Sequence, residues 1–78
     1  MTNLEKYNHA FIDALNVEGI EFINLRYKGI PEWNSVGHMS LVTIIEDTFN
    51  IMLDPDDILD FDTYLKGKEI LKKYGIEI

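Results

Sequence analysis

Pro31-Glu32-Trp33-Asn34-Ser35-Val36-Gly37-His38-Met39 is the stretch on which the fold turns. Residues 16–34, which lead into it, show no sustained hydrophobic period; after it a helical period begins. At about 100° per residue, Leu41, Val42, Ile45 and Phe49 share one face with His38 at its edge, while Val36, Met39, Ser40, Thr43 and Asp47 lie on the other. The spacing predicts a helix from Ser35 or Val36 to Phe49. Ser35 then has two readings. As a helix cap it contributes about 1 kcal/mol. If Asn34 does the capping, the Ser35 hydroxyl is left free at a helix N-terminus, where unpaired amides and the dipole favour a phosphate-linked group.

Three further helical segments flank this one. Thr2-Asn3-Leu4-Glu5 reads as a capping box, and Leu4, Tyr7, Phe11 and Leu15 follow at helical spacing with Ala14 beside them, so the first helix ends near Leu15 or Asn16. Residues 16–34 carry Gly19, Gly29 and Pro31 and read as a long loop, pinned to the core by Ile20, Phe22, Ile23, Leu25 and Ile30. After a connector holding Ile51 and Leu53, a short helix is expected over 56–61, with Ile58 and Phe61 inward and acids in its first turn. Asp62 or Thr63 caps a last helix from about Tyr64 to Tyr74, with Leu65 or Tyr64, Ile70, Leu71 and Tyr74 as its apolar positions. Gly67 weakens this helix by propensity, and Gly75 stops it after Lys72 and Lys73. The fold class is all-α: three longer helices and one short one in a single domain, residues 1–78.

Charge narrows the function. The net charge is −7, and from Gly29 to Leu65 there is no lysine or arginine, while Glu32, Glu46, Asp47, Asp54, Asp56, Asp57, Asp60 and Asp62 fall in that interval. An acidic middle repels nucleic acid and anionic lipid and draws basic protein surfaces. There are no cysteines, so disulfides, thiolate metal sites and a cysteine nucleophile are excluded, in keeping with a cytoplasmic location. No segment reads as a signal peptide or a membrane span.

The residues after Trp33 carry a resemblance. Trp33-Asn34-Ser35-Val36-Gly37-His38-Met39, then Leu41-Val42, Ile45-Glu46-Asp47-Thr48-Phe49-Asn50-Ile51, Leu53-Asp54-Pro55-Asp56-Asp57-Ile58 and Phe61-Asp62-Thr63, are similar to an acyl carrier protein of the specialised, stand-alone kind. The resemblance spans essentially the whole chain. It implies a small four-helix bundle with a long first loop, and Ser35, beside Asn34, as the point where a phosphopantetheinyl transferase attaches 4′-phosphopantetheine from coenzyme A. The thiol of that arm carries acyl or aminoacyl groups as thioesters for enzymes of a fatty-acid, polyketide or other specialised pathway, so the chain holds cargo and is not itself an enzyme. The resemblance further implies a monomer whose partners, acyl-loading and acyl-transferring enzymes with basic surfaces, dock on Glu46, Asp47, Asp54, Asp56 and Asp57 with Val36 and Met39 as apolar contacts. It also implies a cargo site near Val42, Ile45, Ile58 and Phe61.

Two departures stand out. Asn34 occupies a position where the family has aspartate, keeping the capping ability and losing the charge. Gly37, Ser40 and Thr48 stand where fatty-acid carriers often have acids, which favours a pathway-specific carrier, as does Trp33.

Other constellations read as structural. Ser35 and His38 are three residues apart on one helix with no orienting acid, which argues against a nucleophile pair. His9 and His38 make a poor metal site. The aspartates of 54–62 lack the glycine and terminal glutamate of a calcium loop, and of the aromatics Trp33, Tyr7 and Tyr74, Trp33 lies where there is no lysine or arginine, which argues against a base-stacking surface. The alternative function is a non-carrying acidic helical module that binds a basic protein partner.

Overall fold

The computed structural model describes residues 1–17 and 22–78. Gly19 and Ile20, read above as part of the first connection, lie outside the described residues.

The chain is all-helical, 64% helix with no strand among the described residues. The elements are α1 (Asn3–Leu15), a 3-10 turn (Phe22–Asn24), α2 (Ser35–Phe49), α3 (Pro55–Asp60) and α4 (Tyr64–Lys73). Their ends follow local chemistry. Thr2 Oγ1 accepts from the Glu5 amide while Glu5 Oε1 accepts from the Thr2 amide, closing the expected box. α1 stops with Asn16 in the left-handed region, and Asn50 ends α2 in the same way. Of the two candidate caps for α4 it is Thr63, whose Oγ1 accepts from the Lys66 amide at 2.9 Å. Past α4, Gly75 takes φ +82°, the left-handed conformation that glycine adopts without a Cβ penalty.

α1 packs against α2, and the radius of gyration of 11.2 Å is close to the ~11.5 Å expected of a compact chain of this length. The buried centre is aromatic: Tyr7, Phe11, Trp33, Phe61 and Tyr64. Phe11 sits 5.0 Å from Tyr7, 5.5 Å from Trp33 and 5.2 Å from Tyr64 by ring centroids, all edge-on, the geometry aromatic quadrupoles prefer. The polar ends of these rings are satisfied, with the Tyr7 hydroxyl donating to the Tyr64 carbonyl and the Tyr64 hydroxyl to Asn8 Oδ1. Burial pushes the Tyr7 phenol far above its ordinary range, so it stays a donor.

Some expected positions shift. On α1 the covered stripe is Tyr7, Ala10, Phe11 and Leu15, while Leu4 is exposed because it lies in the first turn, beyond the edge of the packed face. In the connection Leu25 is buried and Phe22 stacks on Tyr64 at 5.5 Å, yet Ile23 is 61% exposed, since the 3-10 turn carries it outward. On α4, Tyr64 is buried and Leu65 is not.

α3 is fastened to α4 by one carboxylate. Asp57 is buried. Lys73 donates to its Oδ1 and the Tyr74 hydroxyl to its Oδ2 at 2.6 Å, while the same Tyr74 oxygen accepts from the Asp54 amide at 2.9 Å. The Lys73 and then the Tyr74 hydrogen bond hold the Asp57 carboxyl below its usual 3.8, and the Asp57 bond holds Lys73 above its usual 10.5.

The sign of the pH effect follows. A lowered carboxyl contributes stability that is present above its unfolded value and lost as pH falls through the lowered one. The raised Lys73 contributes below 10.5 and loses its contribution as pH rises through the raised value. Asp57→Asn is therefore expected to be less stable than the parent at pH 7 and to lose less on acidification below about pH 5, so the two curves converge towards pH 2. Urea midpoints across that range check this; parallel curves would contradict it.

Candidate attachment site at the start of the second helix

Asn34 is the N-cap of α2: its backbone is extended, and its Oδ1 accepts from the Gly37 amide at 2.9 Å. Ser35 is thereby released from capping. It is the first helical residue, exposed, with its hydroxyl at the surface. Its Oγ lies 3.1 Å from the Tyr27 hydroxyl.

What precedes the cap is rigidly held. Trp33 is fully buried. Its amide donates to the Ile30 carbonyl at 3.1 Å and its carbonyl accepts from the Lys28 amide at 2.8 Å. Its indole N–H donates to His38 Nδ1 at 2.9 Å. With Nδ1 accepting, the His38 proton sits on Nε2 and is donated to the Ile58 carbonyl at 2.8 Å. His38 therefore ties the first turn of α2 to α3, in the structural role the sequence suggested. Gly37 lets this turn close, since a Cβ there would lie 2.0 Å from the Glu32 carbonyl oxygen.

The expected docking residues divide. Val36 and Met39 are exposed beside Ser35, and with Ser40, Thr43 and Ile44 they line a shallow apolar hollow of about 610 Å³ on the outer face of α2. Asp47, Asp54 and Asp56 are exposed. Glu46 is half-buried, and its Oε2 accepts from the Leu53 amide at 2.9 Å, which fastens the connector after α2. Asp57 corrects the expectation: buried between Lys73 and Tyr74, it is not offered to a partner's cation, because α3 turns it to the same side as Phe61, four residues on.

The expected cargo residues divide as well. Val42, Ile45 and Phe61 are buried in the core and Ile58 is half-buried. A hollow of about 120 Å³ lies against Ile58 and Phe61, closed by Tyr27, His38 and Leu59. Val42 and Ile45 do not line it; both are buried in the core cluster.

Tyr27 was not singled out from the sequence. No local pattern marks it, because Leu25 and Tyr27 lie in a stretch without a sustained period. Their partner across the Arg26–Thr63 bridge has no local sequence mark. No family model, curated protein or solved structure matches the chain.

Proposed function

We propose that this chain is a stand-alone acyl or aminoacyl carrier, with Ser35 as the attachment point of a 4′-phosphopantetheine arm. The observation that carries the reading is the division of labour between neighbours. Asn34 caps α2 through the Gly37 amide, and Ser35, which caps nothing, presents an exposed hydroxyl at the first helical position. A serine needed as a cap would be lost to the helix; this one is available as a nucleophile. The residues fit the group in two further respects. The positive end of α2 favours a phosphodiester at Ser35, and exposed Val36 and Met39 flank it. When bound, the arm supplies the thiol that a cysteine-free chain lacks, on which an acyl group rides as a thioester. In this reading the four helices form the bundle of such a carrier with a long first loop, and Asp47, Asp54 and Asp56 steer basic partner enzymes towards Ser35.

The test is intact mass after incubation with a broad-specificity phosphopantetheinyl transferase and coenzyme A. One pantetheine-phosphate addition is expected in the parent and none in Ser35→Ala. Asn34→Asp, which keeps the cap and adds a carboxylate, is expected to take the same single addition. Absence of any addition in both the parent and Asn34→Asp would remove the carrier reading.

A further inference from the structure

We infer that Tyr27 is a positioning residue for Ser35: its phenol orients the serine hydroxyl for attachment of the arm and afterwards donates to the resulting phosphodiester. The inference rests on the carrier reading above. It starts from the 3.1 Å contact between the two hydroxyl oxygens and from what places the phenol there.

Tyr27 is fixed from its backbone outward. Its amide donates to the Asp62 carbonyl at 2.7 Å, and the Tyr64 amide donates to the Leu25 carbonyl at 3.0 Å. These bonds flank the antiparallel Arg26–Thr63 bridge and clamp the end of the connection to the α3–α4 junction. The Tyr27 ring stands edge-on to His38 at 5.4 Å between centroids, and His38 is itself held at both ring nitrogens by Trp33 and Ile58. Lys28 Nζ lies 5.5 Å from the centre of the Tyr27 ring. None of these contacts involves Ser35, so the phenol is in place whatever the serine does.

Ser35 has no such support. An exposed serine samples about three staggered rotamers, and a bond to a preset phenol selects one. In the transfer, Ser35 Oγ forms a bond to the pantetheine-side phosphorus of coenzyme A. The pyrophosphate P–O bond breaks, adenosine 3′,5′-bisphosphate leaves with the electron pair, and the serine proton passes to a base on the transferase. When the Tyr27 phenol donates to Ser35 Oγ, the serine hydrogen is left free for the transferase base and a lone pair for the phosphorus. After transfer that oxygen has no hydrogen, and Tyr27 remains the donor, now towards a phosphodiester. Hydrogen bonds to an ionised acceptor are the stronger kind. The contact therefore favours the modified state more than the unmodified one.

Tyr27→Phe tests this, because it keeps the ring on His38 and the backbone bonds while removing only the oxygen. With a broad-specificity transferase and coenzyme A, its kcat is expected to fall about three- to tenfold with KM for the chain unchanged. The ³¹P resonance of the modified chain is expected to shift from that of the modified parent, and the unfolding midpoint to stay the same. An unchanged kcat, an unchanged resonance, or a change confined to KM would overturn the inference and leave the carrier reading intact. A parent chain that accepts no arm would overturn the carrier reading and this inference with it. Tyr27→Ala, which also removes the ring, is expected to lower stability as well, separating packing from the hydrogen bond.

Discussion

Gly67→Ala is expected to lower stability by about 2 kcal/mol and the thermal midpoint by about 8–16 °C. Helix propensity alone gives the opposite sign, because alanine in a helix interior is favoured over glycine by about 1 kcal/mol. Space decides the matter. A Cβ at position 67 would lie 2.2 Å from the Tyr7 hydroxyl oxygen and 2.4 Å and 2.6 Å from two carbons of the Phe61 ring. Neither neighbour can move cheaply. Tyr7 is fully buried, donates to the Tyr64 carbonyl, and has the Phe11 and Tyr64 rings each 5.0 Å away. Phe61 is equally buried against Phe11 and Trp33. Thermal unfolding followed by far-UV circular dichroism measures the change, and an unchanged or raised midpoint would show that the aromatic cluster yields to an added methyl.

Gly67 also marks a limit to what local sequence reveals. Periodicity located four helices with nearly correct ends, because capping residues act within a few positions of their own amides: Thr2 and Glu5, Asn34 and Gly37, Thr63 and Lys66. The face of α4 was harder. Tyr64, Gly67, Ile70 and Tyr74 recur at helical spacing, so a glycine fell in the middle of the apolar stripe, yet only the position of Tyr7, far off in the chain, explains why nothing larger fits. Asp57 has the same history. Two adjacent aspartates look alike in sequence, and the partner that turns one of them inward is Lys73, 16 residues away. Both misses involve long-range contacts without a local mark.

The candidate site was more legible than its setting. Ser35 and Asn34 could be picked out because a helix start imposes strict chemistry on its first residues, and the division between them is a choice of which side chain reaches the Gly37 amide. Tyr27 and the His38 tether were not legible, because each depends on the connection folding back onto α3 and α4. His38 is half-buried, as its place at the edge of the apolar face implies; its two specific partners, Trp33 and the Ile58 carbonyl, carry no local mark in the sequence.

Trp33→Ala is expected to cost about 3–5 kcal/mol, the range for removing a buried large aromatic. A chain of this length has a total stability of roughly 4–12 kcal/mol, so the change removes between about a quarter and all of it. Trp33 is fully buried and touches Phe11, Phe61 and His38, and its backbone closes the turn from Lys28 to Ile30. Because it is the sole tryptophan, urea unfolding must be followed by far-UV circular dichroism rather than by indole fluorescence. Trp33→Phe divides the effect. It keeps an aromatic ring in the core and removes the N–H that His38 Nδ1 accepts, for an expected loss of about 1–2 kcal/mol. The order parent, phenylalanine, alanine in urea midpoint is the expected result, and an alanine variant within about 1 kcal/mol of the parent would show that the turn stands without its anchor. The consequence reaches the attachment site directly. Asn34 and Ser35 follow Trp33 in the chain, so the cap on the Gly37 amide depends on the indole keeping the preceding turn in place. Hydrogen exchange at that amide is expected to accelerate in both variants, and more in the alanine one, before any global unfolding is seen.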